Sequence, residues 1–528
     1  MNVSDRQSTA SGNNSYDEVP YDNLAFAQTH PDRLAAAARV FGLQPPPIAN
    51  CRVLELGCAS GGNLIPMAYN LPNAEFVGID LSRRQIDRGC ETIQAVGITN
   101  ATLKHASILD VTREWGKFDY VICHGVFSWV EAEVQEAILR IANENLAANG
   151  VAYVSYNTYP GWHMREMVRH MMRYHTGQFE RPSERIEQAR ALLAFLVSAS
   201  HGSGAYGEML GREVERLSKT SDSYLYHEHL EQTNTPFYFH QFIERAERAG
   251  LLYLSEASIS DMLTSHFPSD VAETLERISP DILHLEQYID FVRNRLFRQT
   301  LLVHKDQHPT RALTPAILRG LMVSSSARPD GSVDLASSSS VTFRIGAQRA
   351  DVSLVGTKAA FTILAERWPE AVDVDELCAM ALDRATPYLR DTTAEETRRG
   401  IMGDLFGSVM YGMVNLHTYP PNCRSTLAER PRANRLAAYE ATNGDIVVNA
   451  HHQVVEVDQL GREMLMLADG QRRGSDILDA LMARVADGGI TVEEQGEPVS
   501  DAHAARTIVS RLLERTLANL TRAAVIES

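Results

Sequence analysis

Between residues 51 and 160 short apolar runs alternate with amphipathic stretches, a pattern that predicts βαβ units and a parallel sheet. The runs are Arg52 to Leu56, Glu75 to Ile79, Ala101 to His105, Tyr120 to His124 and Val151 to Tyr156. Five strands in about a hundred residues is the density of a doubly wound α/β fold. An Ala-rich helix from Pro31 to Phe41 precedes them, opened by its proline and stopped by Pro45 to Pro47. From Trp162 to about Gly250 the period becomes helical, with a polar and Gly-rich break at His201 to Gly207, and the stretch reads as a helical insertion or cap. Leu251 to Ser260 and Leu296 to His304 read as late strands separated by a helix, which would complete the sheet. Gln307 to Thr310 reads as a linker and Ser324 to Ser340 as a mobile segment or wing. Beyond it, strand signals at Val341 to Ile345 and Asp445 to Val448 lie between helices, as expected of small α+β, winged-helix-like units.

The expected division is therefore a flexible tail at 1–15, a nucleotide-binding core at 16–160, the insertion at 161–250, completion of the sheet at 251–305, a middle domain at 311–400 and a C-terminal domain at 401–528. Sixty-seven acidic against 50 basic side chains give a net charge of −17, which repels polyanions and argues against nucleic acid as a partner. The tail lacks the apolar core of a signal peptide. No apolar run approaches the roughly 20 residues of a membrane span, and the six cysteines include no CxxC pair, so reduced thiols and a cytoplasmic location are expected.

Chemistry concentrates at Val53-Leu54-Glu55-Leu56-Gly57-Cys58-Ala59-Ser60-Gly61-Gly62-Asn63. Here a strand ends in an acid and a turn of small residues, whose lack of bulk lets backbone pass close under a ligand. A second strand ends in Asp80, 23 residues after Gly57, where a carboxylate can accept both ribose hydroxyls. A dinucleotide fingerprint wants G-x-G-x-x-G before a helix facing pyrophosphate. Positions 57, 59 and 61 give G-x-A-x-G instead, preceded by Glu55, and this resembles the first motif of class I S-adenosylmethionine-dependent methyltransferases. Glu55, Gly57, Ala59, Gly61, Asp80 and Leu81 are thus candidate cofactor residues. The turn after the third strand adds Ser107 and Ile108 at the adenine, with Asp110 capping or turning the loop.

The fourth strand runs into His124-Gly125-Val126-Phe127-Ser128-Trp129 and the fifth into Tyr156-Asn157-Thr158-Tyr159-Pro160-Gly161-Trp162-His163. Neither carries the Asn/Asp-Pro-Pro-Tyr that holds a planar amide or base. An aromatic slot with a few polar groups suits a lysine, whose stem packs on rings and whose amine must reach the sulfonium unprotonated. His124, Trp129, Tyr159 and His163 are the candidate catalytic residues, His124 also facing the cofactor. His163, Glu166 and His170 share a helical face but lack HExxH order, so no metal is expected. Arg165, Arg169 and Arg173, at four-residue steps, read as a solvated face.

Tyr16-Asp-Glu-Val-Pro-Tyr21, Gln28-Thr-His-Pro31, the run at 55–63, His124 to Trp129, Tyr226-His-Glu228 and Asn234-Thr-Pro-Phe-Tyr238 resemble bacterial methyltransferases with an attached regulatory domain. Rickettsial protein-lysine methyltransferases that modify outer membrane proteins belong to that group. The resemblance covers the first 305 residues well. It implies S-adenosyl-L-methionine as cofactor, a protein lysine as methyl acceptor, and an N-terminal segment that closes the cofactor site through Tyr16, Tyr21 and His30. Insertions of this sort often carry a homodimer contact. Two other readings stand beside it: a small-molecule methyltransferase of the same fold, and a non-catalytic protein that senses the cofactor.

Overall fold

In a computed structural model the described residues are 24–200, 204–390, 392–494, 497–499 and 501–527. Tyr16, Tyr21 and the expected tail lie outside them. Helix α1 (Pro31–Val40) starts where proline presets φ and His30 Nδ1 accepts the Asp32 N–H at 3.2 Å. There follow β1 (Arg52–Leu56), α2 (Leu64–Asn70), β2 (Glu75–Asp80), α3 (Arg83–Val96), β3 (Ala101–His105), β4 (Phe118–Cys123), α4 (Ala132–Glu144) and β5 (Leu146–Asn157). Val53, Leu54 and Leu56 are all buried, as a central parallel strand covered on both faces requires. Helix α3 begins at Ser82, whose hydroxyl accepts the Gln85 N–H, and stops at left-handed Gly97.

The insertion holds α5 (Trp162–Thr176), α6 (Pro182–Ala199) and α7 (Ala205–Ser218), then a single turn, Asp222–Leu225, that runs into a π-helical turn, Tyr226–Leu230. It has its own small core around Val168, Met172, Leu193, Leu210 and Leu225. The chain returns to the sheet at a bridge between Thr158 and Phe237. Then come α8 (Phe239–Arg248), β6 (Leu251–Glu256), α9 (Ser269–Ile278), α10 (Ile282–Arg293) and β7 (Phe297–His304). The insertion therefore ends before Phe237 and not near 250, because Phe239 and Phe242 of α8 are buried on the sheet, with Phe242 stacked 4.0 Å from Tyr156. Two helices, not one, separate the late strands. The strand order is β3-β2-β1-β4-β5-β7-β6, with β7 antiparallel to both neighbours. This is the class I methyltransferase sheet. Buried Arg298 on β7 ties its end together, pairing with Glu256 at 2.7 Å, Glu286 at 2.9 Å and Asp290 at 2.8 Å.

Next are β8 (Met322–Ser324), β9 (Arg328–Pro329), β10 (Val341–Ile345), β11 (Gln348–Val352), α11 (Val355–Arg367), β12 (Val372–Asp373), α12 (Val374–Ala385), α13 (Ala394–Met410) and β13 (Asn415–His417). Their apolar side chains, among them Leu321, Val323, Phe361 and Leu364, are continuous with the core under the large sheet. The expected boundary at residue 400 falls inside α13, and β13 pairs with β8, so the middle region extends past it. Ser324 and Ser325 are buried, bonded to His417 Nε2 and the Met413 carbonyl, so the serine-rich stretch is irregular only after β9.

The C-terminal region comprises α14 (Arg435–Asn443), β14 (Ile446–Val448), β15 (Val454–Glu456), α15 (Gln459–Leu467), α16 (Gly474–Ala486) and α17 (Ala502–Arg522) around a separate core. Polar contacts join it to the rest: Tyr69 donates to Glu527 at 2.7 Å, and His452 Nε2 lies 2.9 Å from Asn63 Oδ1. Among the described residues no helix is long and apolar enough to cross a membrane.

Candidate active site

The carboxyl ends of the first five strands open on a cavity of about 450 Å³, the place where ligands of an open α/β sheet bind. Gly57 has φ +75°, and a Cβ there would lie 2.5 Å from Val126 Cγ2, so only glycine lets the turn pass. Ala59, at φ 47°, continues the same left-handed path. Asp80 fastens the turn from the next strand. Its Oδ2 accepts the Ala59 N–H at 2.9 Å and its Oδ1 the Ser82 N–H at 2.8 Å. Gly57, Ala59, Asp80 and Leu81 line the cavity, but Gly61 does not. Gly61 turns the chain into α2, where its carbonyl accepts the Ile65 N–H.

At one end Glu55 is buried, with Oε1 accepting Asn63 Nδ2 at 2.7 Å and Oε2 without a partner among the described residues. Burial pushes its carboxyl up to about 7, and the charge of Asp80 adds to the shift. A cation seated there would satisfy the orphan oxygen, so the site fits a ligand with an ammonium at this end. Asn63 Oδ1 in turn accepts the Phe26 N–H at 3.0 Å, which brings the segment before α1 onto the cavity wall. At the other end Ala106, Ser107 and Ile108 form a mostly apolar wall. The Ser107 hydroxyl accepts the Leu109 N–H, and the Asp110 carboxylate accepts the Ser107 N–H. Gln85 lines this end too, with its buried Nε2 unpartnered among the described residues.

Beyond the middle of the cavity stand His124, Trp129, Asn157 and Trp162. Burial pushes the His124 imidazole down to about 4, so it is neutral at pH 7 and a weak base. Its Nδ1 bonds to the Tyr153 hydroxyl at 2.8 Å and its ring lies 3.9 Å from that of Phe26. Trp129 and Trp162 meet edge to face with centroids 6.0 Å apart. Asn157 donates to Asn234 at 2.9 Å. The insertion contributes Arg165, Tyr224, His227 and Glu228 to the same wall.

Besides Gly61, three expected residues lie outside the cavity. After Asn157 the chain leaves the sheet to bond with Phe237, which carries Tyr159 and His163 out of the cavity. Tyr159 donates to Glu166 at 2.7 Å and stacks on His163, whose Nε2 meets the Tyr238 hydroxyl at 3.0 Å. His30 is spent on capping α1 and lines a separate small recess with Asp32, Arg33 and His417. The arginine stripe is not a solvated face either: Arg165 lines the cavity, and buried Arg169 donates to the carbonyls of Glu228, Glu231 and Gln232. Sequence reasoning missed Phe26, Asn63, Gln85, Arg165, Glu228 and Phe297. Of these only Asn63, the last residue of the Gly-rich run, and Glu228, within a quoted motif, carried a local signal.

The geometry can be set against known proteins. Residues 54–152 match a family described as a methyltransferase domain, residues 221–304 a predicted methyltransferase regulatory domain, and residues 429–525 the C-terminal winged helix domain of PKMT. An uncharacterized protein of Rickettsia prowazekii (strain Madrid E) is 35% identical over 503 residues, 93% of this chain and 90% of that one. The structure of PKMT2 from Rickettsia typhi in complex with AdoHcy superposes with a TM-score of 0.87 at 30% identity, covering 96% of this chain and 100% of that one. The chain belongs to the PKMT family. It is an S-adenosylmethionine-dependent methyltransferase of class I fold with a C-terminal winged helix domain, and S-adenosyl-L-methionine is the cofactor of this family's cavity. Membership also accounts for the region that sequence patterning left loosest, since the winged helix match spans α14 to α17.

Proposed function

We propose that the protein transfers a methyl group from S-adenosyl-L-methionine to the side-chain amine of lysine in a protein substrate, in the cytoplasm. The observation that carries this reading is the full-length likeness to PKMT2 together with an acceptor end walled by the Trp129 and Trp162 pair. When bound, the cofactor supplies a methyl carried on a sulfonium. In this reading Glu55 Oε2 takes the methionyl ammonium. Asp80, whose carboxylate accepts the Ala59 and Ser82 N–H groups at the end of β2, faces the ribose hydroxyls. Leu81, Gln85, Ser107 and Ile108 hold the adenine, and the turn at Gly57 and Ala59 brings backbone close beneath. His124, neutral through burial, closes the middle of the cavity with Phe26 and excludes water. The tryptophans desolvate a lysine stem and favour its cation until the proton leaves.

The test is incubation of the pure protein with methyl-labelled cofactor and a bacterial lysate, followed by acid hydrolysis of the labelled proteins. Label in methylated lysine is expected. Label confined to small molecules, or to other residues of protein, overturns the lysine assignment.

A further inference from the structure

The segment matched to a regulatory domain supplies the cavity wall beside Trp129 and Trp162 with an acid, Glu228. Glu228 sits on the π-helical turn Tyr226–Leu230, a form of helix that occurs as single turns, often at functional sites. Arginines hold that turn by its carbonyls and by the side chains of Tyr226 and His229, to which Arg185 and Arg216 reach at 3.4 Å and 3.2 Å, without bonding the Glu228 carboxylate. Arg169 donates to the carbonyls of Glu228, Glu231 and Gln232, and Arg185 donates to the Leu230 carbonyl at 3.1 Å. The Glu228 carboxylate itself has no hydrogen bond or ion pair among the described residues, although it lines the cavity with Trp129, Trp162 and Arg165. Arg165 and Arg169 already lie 5.8 Å and 5.7 Å from the rings of Trp162 and Trp129, so the acid, half-buried and without a bonded partner of its own, is the group on this wall that draws an organic cation.

We infer that Glu228 receives the ammonium of the incoming amine at the acceptor end and takes its proton. This rests on the methyltransferase reading above and names the chemistry of the acceptor side. One N–H bond of the ammonium breaks, its electron pair stays on nitrogen, and the proton moves to a Glu228 oxygen and later to solvent. The free pair on nitrogen is what methyl transfer consumes. His124 is a poor candidate for this step, since burial keeps it neutral and weakly basic. The charged and titratable groups facing Glu228 are Arg165 and Arg169 on α5, Arg216 on α7, and Tyr224 and His227 beside it. Burial outweighs the three arginines and raises the carboxyl to about 7. The ionised, proton-accepting form therefore grows as pH rises through 7.

The experiment uses the full chain loaded with AdoHcy or labelled S-adenosylmethionine. In Glu228→Gln, AdoHcy affinity should stay within about twofold, while labelling of lysate proteins at pH 7.5 falls about 100-fold, the usual worth of an acid–base group. The rising limb of its pH profile should move from near 7 toward the lysine value of about 10. Glu228→Asp, which keeps the charge, should recover part of the rate. In parallel, n-butylammonium is titrated into AdoHcy-loaded wild type against n-butanol, read by tryptophan fluorescence. A saturable response to the cation alone, weakening below pH 7, is expected. Equal labelling and an unmoved profile in Glu228→Gln overturn the inference even if lysine is methylated. An absent or charge-blind fluorescence response overturns it as well, whatever the variants do. Cation-selective binding lost in Glu228→Gln, with no lysine label in wild type, would keep the acid site and reject lysine as acceptor.

Discussion

The two halves of the cavity are built in opposite ways. In the proposed reading the cofactor half comes from one stretch of chain between Glu55 and Ile108, and its working parts are backbone: a left-handed turn at Gly57 and Ala59, held by the Asp80 carboxylate. In that reading the acceptor half is assembled from side chains far apart in sequence, Trp129, Asn157, Trp162, Glu228 and Phe297. Backbone geometry tolerates little variation, because a turn that shifts moves every N–H with it. A wall of side chains from separate elements can change shape without disturbing the sheet. One half is suited to an invariant ligand and the other to a variable one.

Gly57→Val should break the comparison most severely. The added carbons collide with Val126 in a conformation that branched residues avoid, and cofactor affinity should fall by about 100-fold or more in calorimetry while the sheet stays folded. Asp80→Ala frees the turn and should cost about 2 kcal/mol, roughly thirtyfold in affinity. Undiminished affinity in Asp80→Ala would mean that the turn holds itself. Trp129→Ala should do the reverse, leaving cofactor affinity within about twofold and slowing transfer about tenfold. An equal loss of both would place Trp129 in the support of the cofactor half. Asp32→Asn should affect the cavity least. Burial alone would raise the Asp32 carboxyl, but hydrogen bonds from His417 and the Thr418 N–H hold it near 2. A lowered carboxyl stabilises the fold above its ordinary value near 4, and that contribution of about 2 kcal/mol is lost as pH falls from 4 to 2. In Asp32→Asn the stability should be lower at pH 7 and its acid dependence in that window flatter, as read by chemical denaturation.

The same contrast explains what could be read beforehand. Strands β1 and β3 match their apolar runs, and Gly57 and Asp80 were legible because a turn and its acid are encoded within a few dozen residues. Strand β5 begins at Leu146 and not Val151, since the Asn149-Gly150 pair, which reads as a turn, is absorbed into the strand. Tyr159 and His163 looked equivalent to Asn157 and Trp162 in sequence; the bond from Tyr159 N–H to the Phe237 carbonyl, 78 positions away, separates them. Arg165 and Arg169 carry the spacing of an exposed helical face. Only tertiary packing turns one into cavity wall and the other into a clamp on backbone carbonyls. The end of the insertion was misplaced for a related reason, because α8 has the same period whether it caps the sheet or extends the cap.

Asn63 joins these levels. Its amide nitrogen serves Glu55, and its oxygen is shared by the N–H of Phe26 and by His452 from the winged helix domain. A lining residue of the cavity is therefore held from behind by a residue nearly four hundred positions downstream. By thermodynamic reciprocity, whatever tightens one end of this buried relay must tighten the other. A shortened protein ending before His452 would leave Asn63 one buried partner fewer, so the winged helix domain bears on the cavity through this residue.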